Sequence, residues 1–166
     1  MLEINNISKI GVISDTHLDK YSGHIPKTVM DKFKGVQLII HCGDVVSMEA
    51  LNELETLAPV VAVKGNMDPE NLNLPRALEL LINGKHTVCV AHGSGSPFGI
   101  LHRLHKEFEP CKPSIILFGH THIAGEYKHN DTRLFNPGSP NTRAEYYSIG
   151  MLDFTGDELN ANVIRL

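Results

Sequence analysis

The sequence has little of what marks several large protein classes. Of its 166 residues only three are cysteines, Cys42, Cys89 and Cys111, and their odd number and wide spacing allow neither a disulfide framework nor a zinc-finger pattern. That usage fits a reducing, intracellular setting. Positive charge is not in excess: 15 Lys and Arg stand against 19 Asp and Glu, a formal charge of −4, which gives no electrostatic footing for following a phosphate backbone. An extended nucleic acid is therefore not the expected partner. No apolar run approaches the roughly 20 residues that span a bilayer, and the first residues carry no basic segment leading into an apolar stretch. A cytoplasmic protein without membrane attachment is expected. Repeats, low-complexity tracts and linkers are absent too, and 166 residues at 42% hydrophobic content suffice for one core, so residues 1–166 read as a single domain.

What the sequence does have is histidine, ten in all, and their positions matter more than their number. Short Val- and Ile-rich runs at residues 9–14, 36–41, 59–63, 87–91 and 114–118 read as buried strands. Helical features lie between them at 26–33, opened by Pro26, at 47–57, where Ser47 can cap, and at 99–108. Three turn signals predict hairpins: Asn83-Gly84 after residues 77–82, Asn130-Asp131 between 123–127 and 133–135, and Thr155-Gly156-Asp157 between 147–154 and 158–165. The pattern predicts an α/β fold of two mixed β-sheets packed face to face, with helices outside.

Each buried run ends in polar residues. They are Asp15-Thr16-His17, Gly43-Asp44, Gly65-Asn66, His92-Gly93 and Gly119-His120-Thr121-His122. In open α/β sheets ligands bind beyond the carboxyl ends of strands, so five strands here deliver carboxylate, amide and imidazole groups to one edge. Singly, each is an ordinary turn. Five in order at strand ends point to a ligand field. A mixture of imidazole and carboxylate suits Mn, Fe, Zn or Ni, whereas Mg or Ca would favour an all-oxygen shell.

Together, Asp15-x-His17, Gly43-Asp44, Gly65-Asn66, His92 and Gly119-His120-x-His122 resemble the signature of the calcineurin-like metallophosphoesterases, over nearly the whole chain. The short length, His92-Gly93 and Asn136-Pro137-Gly138-Ser139 are similar to the small bacterial and archaeal phosphodiesterase branch, whose fold is shared with a retromer scaffold subunit. The resemblance implies a four-layer αββα sandwich and a dinuclear phosphoesterase. Asp15, His17 and His122 would hold the first metal, and Asn66, His92 and His120 the second. Asp44 would bridge them, with Asp44, Asn66 and His92 counted as catalytic. Two divalent ions about 3.5–4 Å apart can acidify a bridging water into hydroxide for in-line attack on phosphorus. Mn²⁺ is the first expectation, with Ni²⁺, Zn²⁺ or Fe as alternatives.

The sequence departs from the wider superfamily at Met67. Many members carry a histidine there that can assist the leaving group, and a thioether cannot donate a proton. The departure favours small phosphodiesters or cyclic nucleotides over monoesters. Ser94 replaces another frequent histidine, and residues 93–97 read first as a turn into the next helix, with a groove lining as the alternative. Cys42 is expected as a buried small hydrophobe. His24, His41, His86, His102, His105 and His129 receive no ligand role; His41 is placed behind the ligands at most. A phosphomonoesterase and a non-catalytic scaffold are the rival readings, and homo-oligomerisation stays open.

Overall fold

All five Val- and Ile-rich runs form strands, and the hairpin signals add the rest. A computed structural model describes residues 1–18, 23–141 and 147–166. One sheet contains β2 (Lys9–Ile13), β3 (Leu38–His41), β4 (Val60–Ala62), β10 (Ser148–Thr155) and β11 (Glu158–Arg165), in the order β11-β10-β2-β3-β4. The other contains β1 (Leu2–Ile4), β5 (Ala77–Ile82), β6 (His86–Ala91), β7 (Ile115–Leu117), β8 (Gly125–His129) and β9 (Thr132–Asn136), in the order β1-β5-β6-β7-β9-β8. Both are mixed. In the first sheet β2, β3 and β4 run parallel while β10 pairs antiparallel with β2 and β11.

The side-chain period of two along each strand explains the layering. Ile10, Val12, Leu38 and Ile40 share a core with Val88, Val90, Ile115 and Leu117, so the two sheets pack face to face. Ile39 and Ile13 face the opposite way. They meet Val29 on α1 (Lys27–Lys32), Phe33 at its C-terminal end, and Leu51 and Leu54 on α2 (Met48–Glu55). On the far side Cys89 and Ile116 meet Ile100, Leu104 and Phe108 of α3 (Ile100–Phe108). Helix, sheet, sheet, helix is the expected order of layers.

The hairpins follow their turn residues. Asn83 and Gly84 take the two central positions with φ of 54° and 66°, and the Lys85 N–H closes the turn on the Ile82 carbonyl at 3.1 Å. His129 pairs with Thr132 across Asn130-Asp131, and Thr155 with Glu158 across Gly156-Asp157. Two details differ from expectation. Ser47 stands at the N-cap of α2 without a capping hydrogen bond from its side chain, and β1, mostly exposed, is at three residues too short for its Leu-Glu-Ile alternation to announce it. β1 is held by Asn83, whose amide exchanges two hydrogen bonds with the backbone of Ile7, at 2.9 and 2.7 Å, and by parallel pairing with β5. Among the described residues no helix is long and apolar enough to cross a membrane.

Candidate metal centre

The carboxyl ends of β2, β3 and β4 in one sheet, and of β6 and β7 in the other, meet at one edge. The loops beyond them bond to each other: Asp15 N–H to the Gly43 carbonyl at 2.9 Å, His17 N–H to the Asp44 carbonyl at 3.2 Å, and Gly119 N–H to the His92 carbonyl at 3.1 Å. Two glycines are dictated by close approach. A Cβ on Gly65 would overlap the Asp44 carboxylate and amide, and one on Gly119 would overlap the Ser14 hydroxyl and the Asp15 carboxylate. This is the physical reason for glycine before Asn66 and His120.

All seven sequence-predicted residues come together there. His122 Nε2 lies 3.1 Å from Asp15 Oδ1 and 3.4 Å from His17 Nε2. His17 Nε2 is 3.8 Å from both Asp15 Oδ1 and Asp44 Oδ2. On the other side His92 Nε2 is 3.4 Å from Asp44 Oδ2 and 3.1 Å from Asn66 Oδ1, which is 3.0 Å from His120 Nδ1. Asp44 therefore faces both subsets. So does Asp15, whose Oδ1 is 3.9 Å from His92 Nε2; Asp15, His17 and His122 form one group of convergent ligand atoms and Asp15, Asp44 and His92 another.

The ring tautomers can be deduced from the outer partners. His92 donates its Nδ1–H to the Cys42 carbonyl at 2.8 Å, and His120 donates its Nε2–H to the Gly95 carbonyl at 2.8 Å. Each ring then aims a lone pair at Asn66 Oδ1, itself an acceptor. Three acceptors facing one point repel unless a cation lies between them. Asp15 gives the same signal: Oδ2 accepts from the Ser14 hydroxyl at 2.6 Å and His120 N–H at 3.1 Å, whereas Oδ1 is buried with no hydrogen-bond partner. An orphaned buried carboxylate oxygen is costly, and this donor set fits divalent ions with nitrogen and oxygen ligands.

The charges agree. Burial would lower the basicity of His92, but the Asp44 carboxylate 3.4 Å from Nε2 and the charge of Asp15 outweigh it and raise its pKa. The Asp15 carboxylate, 3.1 Å from its Nε2, raises that of His122. Burial would push the Asp44 carboxyl up, yet His92 and the Met67 N–H, 2.7 Å from Oδ1, bring it down. Two carboxylates in a buried edge call for positive charge, and the raised basicity of His92 and His122 registers that demand, which a cation would meet.

Residues behind the ligands include one that sequence reading left out. Asp68 is buried and its two oxygens accept three backbone N–H groups, from Asp44 at 3.0 Å, Val46 at 2.6 Å and Gly65 at 2.8 Å. The sequence signal was slight, an Asp two residues after the Asn66 turn. Ser139 donates to the Asp15 carbonyl at 2.7 Å, and Asn136 donates to the Gly119 carbonyl at 2.9 Å, so Asn136-Pro137-Gly138-Ser139 supports the site as a turn. His41 is fully buried behind the centre, with its pKa pushed down to about 4 by burial. Its Nδ1 accepts from Gly43 N–H at 3.2 Å, which leaves Nε2–H to donate to the Thr16 hydroxyl at 3.1 Å. Cys42 is core, its thiol pushed up by burial; only its carbonyl serves the centre. Met67 is 59% exposed. Residues 93–97 do turn into α3, and Gly93 and Ser94 also line a cleft of about 500 Å³ beside Asn66 and His92.

Known proteins are similar to this chain in sequence and in fold. The chain is 45% identical over 159 residues to a probable metallophosphoesterase of Methanocaldococcus jannaschii, covering 95% of this chain and 81% of that protein. It is 32% identical over 145 residues to a phosphodiesterase of the same organism, covering 78% of this chain and 82% of the relative. The fold superposes with a TM-score of 0.76 on Vps29 from Entamoeba histolytica complexed with Zn²⁺, at 23% identity and covering 95% and 98% of the two chains, a likeness of fold alone. Residues 9–157 match the calcineurin-like phosphoesterase superfamily domain, which with these identities makes the chain a member of that metal-dependent phosphoesterase superfamily.

Proposed function

We propose that this protein is a dinuclear phosphodiesterase acting on small phosphodiesters or cyclic nucleotides. The observation that carries the reading is the convergence of lone pairs from both sheets on two adjoining points, with Asp44 between them. Asp15, His17 and His122 would hold one ion and Asn66, His92 and His120 the other. Two such ions supply Lewis acidity toward phosphate oxygens and an activated water. Mn²⁺ is the preferred ion, with Ni²⁺, Zn²⁺ and Fe suited to the same donors.

The protein's own part is positioning. The Cys42 and Gly95 carbonyls fix the rings of His92 and His120, the Met67 N–H fixes Asp44, and the Ser14 hydroxyl fixes Asp15. The adjoining cleft, lined by Lys64, Arg76, Ser94 and Arg103 among others, suits a small ester rather than a polymer. Arg103 is committed to the carbonyls of Ser94, Ser96 and Phe98, and Lys64 pairs with Glu70. The Arg76 guanidinium, whose charge also acts on Glu70, has no hydrogen bond among the described residues and is the cation left to meet an anionic substituent. At position 67 a thioether stands where a proton donor would assist poor leaving groups, which supports diesters over monoesters. Three free cysteines support a reducing, cytoplasmic setting.

The test is metal analysis of the purified protein, followed by Mn²⁺-supplemented hydrolysis of bis-p-nitrophenyl phosphate beside p-nitrophenyl phosphate. Bound metal and faster turnover of the diester are expected. Protein with neither metal nor turnover would leave a protein-binding scaffold in its place. Met67→His should then raise kcat/KM chiefly for alkyl esters, by up to the 10²–10⁴-fold typical of general acid catalysis. An equal change for aryl and alkyl esters would remove Met67 as the cause of substrate preference.

A further inference from the structure

Away from the centre, three imidazoles meet where α3 packs beside the β8–β9 turn. His102 and His105 lie one turn apart on α3, and His129 ends β8. Their rings are in contact, with centroids 5.4 Å apart for His102 and His129 and 5.3 Å for His105 and His129. The three do not play the same part. The Asn130 amide donates to His105 Nε2 at 3.2 Å, so His105 carries its proton on Nδ1 and gives it to the Thr132 hydroxyl at 2.9 Å. Both nitrogens of His105 are thereby used, and its ring serves as a wall for His129.

His102 and His129 face each other with His102 Nδ1 3.3 Å from His129 Nε2. The remaining nitrogens, His102 Nε2 and His129 Nδ1, have no partner among the described residues, so each ring can carry its proton there and present a lone pair to the other. Two imidazole nitrogens bound to one tetrahedral zinc at about 2.0–2.1 Å stand about 3.3–3.4 Å apart. The same spacing, 3.4 Å, separates His17 Nε2 from His122 Nε2 in the metal centre.

We propose that His102 and His129 form a peripheral cation site, taking a borderline divalent ion such as Zn²⁺ or Ni²⁺ on two imidazoles, with water completing its shell. Neutral imidazole selects these ions over Mg²⁺ and Ca²⁺. The ion would clamp α3 to the β8–β9 hairpin. Both elements flank the Gly119–His122 loop: α3 carries Arg103, which holds the loop whose Gly95 carbonyl orients His120, and β8 begins three residues after His122. The site is distinct from the centre and does not depend on the proposed phosphodiesterase activity.

The alternative chemistry for the same geometry is one N–H···N hydrogen bond between the rings, and zinc separates the two. Zn²⁺ is titrated into the wild-type chain, into Asp15→Ala/Asp44→Ala, which removes the carboxylates that serve both ligand groups of the centre, and into each with His102→Gln or His129→Gln. The centre-disabled protein should still bind one Zn²⁺ and gain thermal stability from it, and either glutamine should weaken that ion at least tenfold while His105→Gln weakens it less. Mg²⁺ should give no such response. If the centre-disabled protein does not fold, the zinc content of the otherwise wild-type chain should fall by one ion with His102→Gln and equally with His129→Gln. Zinc stoichiometry and affinity indifferent to both His102→Gln and His129→Gln would overturn the site, as would an ion lost only on His105→Gln.

Discussion

Asn83 and Asn130 turn their hairpins with φ of 54° and 52°, almost the same values as the 55° of Asp15 and 56° of Asp44 at the strand ends. The chemistry of the two regions differs. Asparagine visits the left-handed region readily, so the hairpins bend at little cost. At the metal centre the same backbone is imposed on Asp15, His17, Asp44, Val46, His120 and His122. For a β-branched residue such as Val46, at φ 73°, this is a genuine outlier. Each left-handed residue costs roughly 1–2 kcal/mol relative to the right-handed form. The hairpins are shaped by local preference and the centre by contacts that overrule it. Asp68 is the chief of these, since it bonds the amides of Asp44, Val46 and Gly65 together.

Four substitutions test that difference. Asp44→Ala should have the largest effect, removing nearly all activity and more bound metal than His17→Ala, because Asp44 faces both ligand subsets; near-normal turnover with two ions retained would refute its bridging position. Asp68→Ala comes next. It leaves three backbone N–H groups near the centre without an acceptor, at about 1–3 kcal/mol for each that stays buried. Chemical denaturation should register several kcal/mol, with weakened metal retention, and Asp68→Asn should recover part of both. An effect below about 1 kcal/mol would mean that the strained loops hold themselves.

His41 gives a pH-dependent effect. Its folded-state pKa of about 4 lies below the ordinary 6.5, so between those values the unfolded chain binds the extra proton. Stability contributed by neutral His41 is complete above pH 6.5 and falls as the pH drops toward 4. The loss is roughly 3 kcal/mol at 1.36 kcal/mol per pKa unit. In chelator-treated protein, unfolding free energy measured across this range should fall less steeply in His41→Gln than in the wild type. Parallel pH profiles would show that burial of His41 is not what titrates. Smallest of the four, Val46→Asn should stabilise the protein by roughly 1 kcal/mol or less, because asparagine accepts the left-handed backbone. If Asp68 imposes that conformation, the gain should shrink in an Asp68→Ala background; additive effects would uncouple the two residues.

Sequence carried the grouping of the seven candidate ligands because each is a side chain at a strand end, where buried Val and Ile give way abruptly to Asp, Asn or His. It carried the layers because the strands and hairpins have periodicity and turn residues of their own. Asp68 escaped because all its partners are backbone amides, which every sequence contains. Val46 escaped for a related reason, since nothing in Asp44-Val45-Val46 prefers a left-handed backbone, and the cause lies over 20 residues downstream at Asp68. β1 was invisible because its Leu2, Glu3 and Ile4 are held by pairing with β5 and through Asn83 rather than by a buried face of their own. Asp15 was read as a ligand of one ion only, and its approach to His92 became evident only with the sheets docked.

The centre draws Asp15, His17, Asp44 and Asn66 from one sheet and His92, His120 and His122 from the other. As the chain leaves the ribosome, the carboxylates and the amide come out first and most of the imidazoles last. The Asp15 carboxylate is bonded to the His120 amide across 105 residues, a closure that waits for both sheets to be present. Neither half alone can assemble the ligand set, so a nascent chain offers no complete cradle to a passing ion. An ion bound there would be acquired at the end of folding, as a latch on a seam that has already closed.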